Sequence, residues 1–308
     1  MKRLSLVARP GDEGERLDRF IAARGAISRG LARRAIEEGG VFLDGRRCKV
    51  ASREVRAGYD VTVNLEEGGR APGGVGPLER SRILFADEHL VAVDKPAGVP
   101  AQATLTSDRN TLPELVGALL GSPVTLVHRL DRETSGVTVL ARTRETAAAL
   151  AEAFRTGAPH KTYLMLCAHT PSPAEGRTEA RIGKDPRRAG LRCVTTSGDT
   201  AATRYRTLAV GQAALVEACP ETGRTHQIRV HLAHLGAPLL GDPKYGGPRM
   251  VERVAVPRVM LHALSLELLH PVSGAPLRFE APLPADLLAV AAELGCPVVQ
   301  AARTAPVA

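Results

Sequence analysis

The sequence predicts an α+β protein with a small N-terminal α/β domain and a larger domain on a mixed, mostly antiparallel sheet. Strand-like runs are separated by helices at irregular intervals, without the steady βαβ alternation of a parallel fold. A Gly- and Pro-rich stretch divides a basic, helical first segment from a longer second segment. The chain has 308 residues, 44% hydrophobic and 24% charged, which is enough to bury a sizeable core.

The predicted boundaries follow these changes in composition. Residues 1–66 form the small domain, 67–78 a flexible linker, 79–290 the large domain and 291–308 a tail. The linker region EEGGRAPGGVGP offers little apolar surface to offset chain entropy. The final residues, QAARTAPVA, have the composition of a disordered tail.

Two helices and a hairpin are predicted in the first segment. Apolar residues recur at helical spacing in GERLDRFIAARG. Ser28 is a good N-cap for a second helix through SRGLARRAIEEGG. In VFLDGRR, Asp44 and Gly45 predict a two-residue hairpin turn.

The second segment predicts strands, hairpins and at least three helices. Helices are expected over Thr111–Leu120, after the capping residue Thr143, and from the turn at Thr222-Gly223 to Gly236. The polar stretch 177–203 is expected to be hairpin or loop. Strands are expected in RILFADEHLVAVDK, GVTVLAR, KTYLMLCAHT, ATRYRTLAV, AALVEACP and LHALSLELLHPVSGAPLRFEAPLP.

The charge and cysteine content limit the environment and the partner. A net charge of +8 suits a polyanionic partner, and Arg29, Arg33 and Arg34 cluster on the solvent face of the second predicted helix. Five widely spaced cysteines without a CxxC pair argue against a disulfide framework. The sequence lacks a signal-like N-terminus and any run near the ~18 apolar residues of a membrane span. These features predict a soluble, cytoplasmic protein.

The segment HRLDRETSG contains the strongest candidate for chemistry, Asp131. This carboxylate lies among Arg129, Arg132, Thr134 and Ser135 and is followed by a strand-like run. Nearby positive charge and hydroxyl donors favour the ionised form of a carboxyl group. An ionised, positioned aspartate can act as a nucleophile.

HRLDRETSG resembles the signature of the RluA-type RNA pseudouridine synthases, in which the aspartate is the catalytic nucleophile. DKPAG, KTYLMLC and ETGRTHQIRVHLAHLGAPLLGDPKYGG are similar to further blocks of that family. ERLDRFIAARG, SRGLARRAIEEGGVFLDG and AGYDVTVN resemble the ribosomal-protein-S4-like RNA-binding domain. The resemblance covers roughly Gly14 to Leu283 and implies a pseudouridine synthase-like catalytic domain with an N-terminal RNA-binding domain.

The resemblance also implies roles for other residues. Tyr163 would stack on the target base, with a suspected part in proton transfer, and Arg229 would form an ion pair with Asp131. Arg129 would take the place of the flipped base in the RNA helix, since a stacked base cannot be attacked. His226 is three residues before Arg229, so both can face one cleft. The remaining expected RNA contacts are Lys161, Arg29, Arg33 and Arg34.

The implied reaction detaches uracil from its ribose, turns it and rejoins it through carbon five. Asp131 could attack the anomeric carbon, add to uracil carbon six, or assist a glycal intermediate, and the sequence leaves these routes open. Neither GxxxxGK[ST] nor GxGxxG occurs, so no small-molecule cofactor is expected. A monomer acting on large-subunit ribosomal RNA, or alternatively transfer RNA, is predicted. Many relatives have His-Pro after the Lys-Pro-Ala-Gly loop where this chain reads GVPAQAT, so a single relative's substrate cannot be transferred.

Three alternatives compete with this prediction. His226, His231 and His234 could suggest a metalloenzyme, although neither an HExxH motif nor a Cys pair occurs and no metal is expected. Asp131 and Glu133 could form the carboxylate pair of a nucleoside hydrolase or glycosidase. A ribosome-assembly factor or RNA chaperone would bind RNA without modifying it.

Overall fold

The computed structural model describes residues 2–65 and 76–298, which group into two compact units. The first unit contains the described residues up to Pro77 together with Pro100–Ala118, and the second contains Leu78–Val99 and the chain from Leu119 onward. Residues 100–118, expected in the large domain, group here with the first unit. One cause is Asp108, whose carboxylate lies 2.8 Å from Lys49 Nζ and 3.8 Å from Arg47 Nε. Residues 66–75 of the predicted linker region lie outside the described residues, and the predicted domain boundaries remain a prediction.

The N-terminal part of the first unit, residues 2–65, contains two α-helices and a four-stranded antiparallel sheet, in the strand order β1-β4-β2-β3. Ser28 accepts a hydrogen bond from the Leu31 amide, which confirms the predicted cap. Asp44 and Gly45 both have positive φ, as a tight hairpin turn requires. The elements are β1 Lys2–Val7, α1 Leu17–Gly25, α2 Arg29–Glu37, β2 Val41–Leu43, β3 Arg46–Arg47 and β4 Asp60–Leu65.

The rest of the chain follows the predicted sequence of strands and helices. Thr143 caps α4 by accepting from the Thr146 amide, and the polar stretch 177–203 contains the β11–β12 hairpin. The elements are β5 Ile83–Ala86, β6 Leu90–Lys95, α3 Leu112–Leu120, β7 Thr125–Leu126, β8 Ser135–Ala141, α4 Arg144–Thr156, β9 His160–Cys167, β10 Glu175–Glu179, β11 Ile182–Lys184, β12 Arg192–Val194, β13 Ala202–Val210, β14 Ala214–Pro220, α5 Gln227–His234, β15 Met250–Val251, β16 Val254–Ala255, β17 Leu261–Leu269, β18 Pro276–Glu280 and α6 Ala285–Glu293.

A large mixed sheet forms the centre of the second unit, with the order β10-β13-β14-β9-β17-β8-β6-β5. Strand β18 pairs with β17 and β7 with β8, and among these described pairings only β17–β8 is parallel. The α+β class and the mostly antiparallel sheet are therefore confirmed. Side chains alternate across β9: Leu164 and Leu166 pack in the cluster that contains α6 residues, and Met165 and Cys167 in the one that contains α5 residues.

The parallel junction between β8 and β17 requires a glycine. Gly136 has φ +111°, and a Cβ atom there would lie 2.1 Å from the carbonyl oxygen of Ala263. No side chain fits at such a distance. The last residue of HRLDRETSG must therefore be glycine, because the backbones of β8 and β17 approach each other closely here. Beside it, Ser135 Oγ lies 2.9 Å from His262 Nδ1. These contacts fix the strand that follows the Asp131 loop.

The C-terminal end of the described chain is more ordered than the sequence suggested. Helix α6 crosses the predicted boundary between residues 290 and 291, and Ala291, Leu294 and Cys296 are buried. The physical reason is that these small apolar side chains complete the cluster beneath β9. Residues 299–308 of the predicted tail lie outside the described residues. None of the helices within 2–65 and 76–298 has the length and apolar character needed to cross a membrane.

Candidate active site

Asp131 lies in the loop between β7 and β8, with its side chain 20% exposed. The loop is held from below by Lys95, a fully buried residue at the end of β6. Lys95 Nζ donates to the carbonyl oxygens of Pro96, Val99 and Arg132, at 3.0, 2.9 and 3.1 Å. Burial lowers the pKa of Lys95 to about 7, against the charges of Glu133 and Asp131, which raise it. Lys95 therefore stabilises the loop with three hydrogen bonds, one for each of its donors.

Arg229 connects Asp131 to a second, deeper carboxylate. Its Nη1 donates to Asp131 Oδ2 at 2.7 Å, while Nε and Nη2 donate to the two oxygens of Asp242 at 2.6 and 2.8 Å. Asp242 is fully buried and Arg229 is only 5% exposed. One guanidinium thus serves two carboxylates, so the cluster keeps a net negative charge when both acids are ionised. Such charge-assisted, two-point pairing fixes both position and orientation.

His226 immediately precedes α5 and also faces Asp131. Its backbone has φ +59°, and its Nε2 lies 3.7 Å from Asp131 Oδ2. Its Nδ1 lies 2.6 Å from the hydroxyl of Tyr245, which in turn accepts a hydrogen bond from the Arg192 amide at 3.1 Å. Burial lowers the pKa of His226 to about 4, and the charge of Asp131 opposes this shift only in part. The imidazole is therefore neutral near pH 7.

Tyr163 and Lys161 project from β9 beside Asp131. Burial and the nearby Asp131 charge raise the pKa of Tyr163, so its hydroxyl stays protonated at neutral pH. Burial lowers the pKa of Lys161. The His128 ring, which lines the same cavity, stacks on Phe154 with centroids 4.2 Å apart.

His128 also ties the start of HRLDRETSG to β8. Its Nε2 accepts a hydrogen bond from the Val139 amide at 2.9 Å, which requires an unprotonated nitrogen. Burial, and secondarily the charge of Lys161, lowers the pKa of His128 to about 3. The histidine is thus a neutral structural acceptor within the segment that carries Asp131.

A cavity of about 310 Å³ lies beside Asp131. Six of the predicted site residues line it, namely Asp131, Tyr163, Arg229, Arg129, Lys161 and His226. Arg129 is exposed to solvent. The volume lies at the lower end of the about 300–1,000 Å³ typical of small-ligand pockets. The cavity combines a carboxylate, an aromatic ring and several cations, which suits a planar polar base attached to a phosphate backbone.

The remaining predicted residues, Arg29, Arg33 and Arg34, lie on α2 of the other unit and are exposed. Arg29 and Arg33 lie 3.1 and 3.9 Å from the carboxylate of the buried Asp18, and Arg16 lies 3.2 Å from it. Burial alone would raise the pKa of Asp18, but hydrogen bonds from Arg16 and Arg29 outweigh it and the pKa is lowered. The arginine cluster is therefore anchored on one buried charge.

Sequence reasoning missed four residues that build the site: Lys95, His128, Asp242 and Tyr245. Lys95 and His128 stood in quoted motifs, but nothing in the sequence indicates a bond to a loop carbonyl or to a strand amide. Asp242 and Tyr245 lie in GDPKYGG, a turn-like stretch after an apolar run. An acid within such a turn is a weak signal, because turns commonly contain Asp for local reasons.

Two of the alternatives find no support in the geometry. Glu133 is exposed in a turn and does not line the cavity, so it does not pair with Asp131. His231 is buried, and its two ring nitrogens contact Thr203 Oγ1 and the Ala180 carbonyl oxygen. Within the described part of the chain, no group of three His, Cys, Asp or Glu residues is arranged to hold a metal ion.

Known proteins are similar to this chain over most of its length. The family described as RNA pseudouridylate synthase matches residues 89–234, and the S4 domain matches residues 15–61. A Chloroflexus aurantiacus protein named as an uncharacterized RNA pseudouridine synthase is 38% identical over 302 residues, covering 94% of this chain and 93% of the relative. Ribosomal large subunit pseudouridine synthase D of Xanthomonas campestris is 36% identical, covering 89% of this chain and 87% of its own. The solved structure of human RNA Pseudouridylate Synthase Domain Containing 4 superposes with a TM-score of 0.56 at 30% identity, covering 70% of this chain and 93% of that one.

Proposed function

Because the chain belongs to the RNA pseudouridylate synthase family, we propose that Asp131 is the nucleophile with which it isomerises uridine in RNA. The observation that carries the proposal is the placement of this carboxylate in the cavity, bound to Arg229 at 2.7 Å and faced by His226. Asp242 binds the other two nitrogens of Arg229, so Asp131 is oriented while the cluster is negative when both acids are ionised. A nucleophile needs both orientation and charge.

The target uridine must leave the RNA stack before Asp131 can reach it. Arg129, an exposed residue lining the cavity, is proposed to fill the space the base vacates, since a planar cation can stack and donate hydrogen bonds there. Tyr163 is proposed to pack against the flipped uracil. Lys161 would contact the same nucleotide or its phosphate, and the His226 ring, which also lines the cavity, would contact the nucleotide.

The chemical step is an isomerisation with balanced atoms. The bond between N1 and the anomeric carbon breaks, a bond from C5 to that carbon forms, C5 loses a proton and N1 gains one. No electron acceptor or activated group is needed, and we propose that the enzyme works without a cofactor. Asp131 attack on the anomeric carbon, addition to C6 and a glycal route all remain compatible with the position of the carboxylate.

Large-subunit ribosomal RNA is the proposed substrate, with transfer RNA as the second candidate. Relatives from Xanthomonas campestris and Nitrosomonas europaea are named ribosomal large subunit pseudouridine synthase D, the latter at 40% identity. The arginines of α2 are proposed to hold RNA phosphates, which the S4 domain match supports. Because one chain supplies the whole cavity, we propose a monomeric enzyme. Its proposed location is the cytoplasm.

The test compares Asp131→Asn with Glu133→Gln, a matched loss of charge two residues away at an exposed position. RNA labelled with tritium at uracil C5 releases the label to water as pseudouridine forms. We expect Asp131→Asn to abolish release while RNA binding persists, and Glu133→Gln to act normally. Turnover by Asp131→Asn would end the nucleophile proposal, and release of free uracil would indicate a hydrolase. Mapping pseudouridines in total RNA with and without the gene identifies the substrate.

A further inference from the structure

The Tyr245 hydroxyl lies within hydrogen-bond distance of His226 Nδ1. The Tyr245 oxygen already accepts a hydrogen bond from the Arg192 amide of β12 at 3.1 Å. Its own proton remains available to donate, and His226 Nδ1 lies 2.6 Å away. Among the residues that the structure describes, no other acceptor is bonded to this hydroxyl. Burial raises the pKa of Tyr245, so the hydroxyl keeps its proton.

If Tyr245 donates to Nδ1, a neutral imidazole carries its proton on Nε2. That nitrogen is the one that faces Asp131 Oδ2 at 3.7 Å. Arg229 Nη1 donates to the same oxygen at 2.7 Å. Two donors thus converge on Oδ2, and within residues 2–65 and 76–298 no hydrogen bond reaches Oδ1. The second oxygen is left to meet the nucleotide.

We propose that His226 is a positioning residue that donates from Nε2 to Asp131 Oδ2, with its tautomer set by the chain Arg192 N–H, Tyr245 O–H and His226 Nδ1. This inference rests on the proposed role of Asp131 and adds a second donor to the nucleophile. The separation of 3.7 Å closes to hydrogen-bond length when a base enters, as catalytic contacts commonly tighten on substrate binding. The pair of donors holds the carboxylate with Oδ1 as the attacking atom.

The tautomer is measured directly on the full-length protein without RNA. Long-range ¹H–¹⁵N correlation spectra of ¹⁵N-histidine-labelled protein distinguish a proton on Nε2 from one on Nδ1. We expect a single Nε2–H form for His226, and a mixture of both forms in Tyr245→Phe, which keeps the ring over Arg229 but lacks the hydroxyl. A predominant Nδ1–H form in the native protein, or no change in Tyr245→Phe, would overturn the proposal.

Two substitutions of His226 distinguish a residue that donates to Asp131 from one that only packs. The amide nitrogen of Gln can replace Nε2, whereas that of Asn replaces Nδ1. With tritium-labelled total RNA from cells lacking the gene, we expect His226→Gln to keep kcat within about threefold of native. His226→Asn and Tyr245→Phe should each lower kcat about tenfold with little change in apparent KM. A tenfold loss corresponds to one lost hydrogen bond to a charged group.

Tyr205→Phe serves as the matched control, because Tyr205 is a buried tyrosine of β13 that does not line the cavity. We expect its kcat to be unchanged. Equal losses in His226→Gln and His226→Asn would show that His226 only packs, and the inference would fail while Asp131 could still be the nucleophile. Activity in Asp131→Asn with the Nε2–H tautomer intact would instead remove the proposed function and leave the hydrogen-bonded chain in place.

Discussion

Arg229 and Asp242 form a buried, two-point ion pair, with N···O distances of 2.6 and 2.8 Å. Arg229 reaches Asp131 with its one remaining terminal nitrogen. The position of the proposed nucleophile therefore depends on an acid that never enters the proposed chemistry. Removing one partner of a buried pair leaves the other charge uncompensated, at a cost of about 3–5 kcal/mol.

Asp242→Asn should reduce both stability and activity. Asn keeps the shape and one acceptor but loses the charge, so Arg229 would turn toward Asp131 and neutralise it. We expect a loss of up to about 3 kcal/mol in unfolding free energy and at least about a tenfold fall in single-turnover rate. Urea denaturation and tritium release measure the two effects.

Asp286→Asn provides the control for that substitution. Asp286 also accepts two hydrogen bonds from one arginine, Arg258, at 2.6 and 2.9 Å, but neither residue lines the active-site cavity. Asp286 is 35% exposed, so we expect a smaller loss of stability and a native rate. An equal fall in rate for both variants would mean that Asp242 affects activity through folding alone.

Substitutions of Tyr163 should separate packing against the base from the function of the hydroxyl. Because the pKa of Tyr163 is raised, we expect a rate profile that shows no ionisation of this group at neutral pH. Tyr163→Phe should lose less activity than Tyr163→Ala, since only the latter removes the ring. Single-turnover rates at saturating RNA give the comparison, and equal losses in both variants would assign the function of Tyr163 to its hydroxyl.

His128 should contribute to acid destabilisation. Its pKa is about 3 in the folded chain against an ordinary value of 6.5, so between these pH values the unfolded chain binds a proton that the folded chain does not. Stability present above pH 6.5 is therefore lost as the pH falls toward 3, by at most about 1.4 kcal/mol per pH unit for one group. In His128→Gln, whose amide oxygen can accept from the Val139 amide, we expect a shallower slope.

The control for this pH experiment is His169→Gln, at an exposed position after β9. Its unfolding free energy, measured by urea denaturation at several pH values, should follow the native slope. His226 and His262 also have lowered pKa values. Both variants should therefore keep some dependence of the unfolding free energy on pH. If the unfolding free energy of His128→Gln varied with pH as steeply as that of the native protein, His128 would not be a source of the acid destabilisation.

The α2 arginines should govern the salt dependence of RNA binding. Each phosphate contact contributes a slope of about 0.7–0.9 in log K against log salt. Arg34→Gln should lower the slope by about one contact without disturbing Asp18, which is paired with Arg16, Arg29 and Arg33. Filter binding at several salt concentrations measures this, with Arg53→Gln, exposed outside α2, as control. Equal slopes in the two variants would place the RNA elsewhere.

The sequence predicted those features that local rules determine. Helices α2 and α4 start at the predicted caps Ser28 and Thr143 because the capping hydrogen bond forms within four residues. The hairpin at Asp44-Gly45 likewise depends on two adjacent residues. Asp131 and Arg229 were paired through a family resemblance, since 98 residues separate them in the chain.

Non-local geometry explains what the sequence did not reveal. The insertion of β17 between β9 and β8 depends on packing across the whole sheet. The role of Asp242 depends on the contact of its turn with Arg229 of α5. The sequence does not indicate this contact, because an aspartate in a turn commonly has a local role. The burial of Ala291 and Leu294 was missed because the apolar pattern of α6 continues past residue 290, where the tail was predicted to begin.

The nine-residue segment HRLDRETSG contains residues that are needed for different reasons. Asp131, its fourth residue, is the proposed nucleophile, whereas the glycine at its end is required by the close approach of the Ala263 backbone. A descendant that had lost its acid would still need the glycine to assemble the sheet. The presence of that glycine in a relative would therefore report on the fold of the sheet and not on activity.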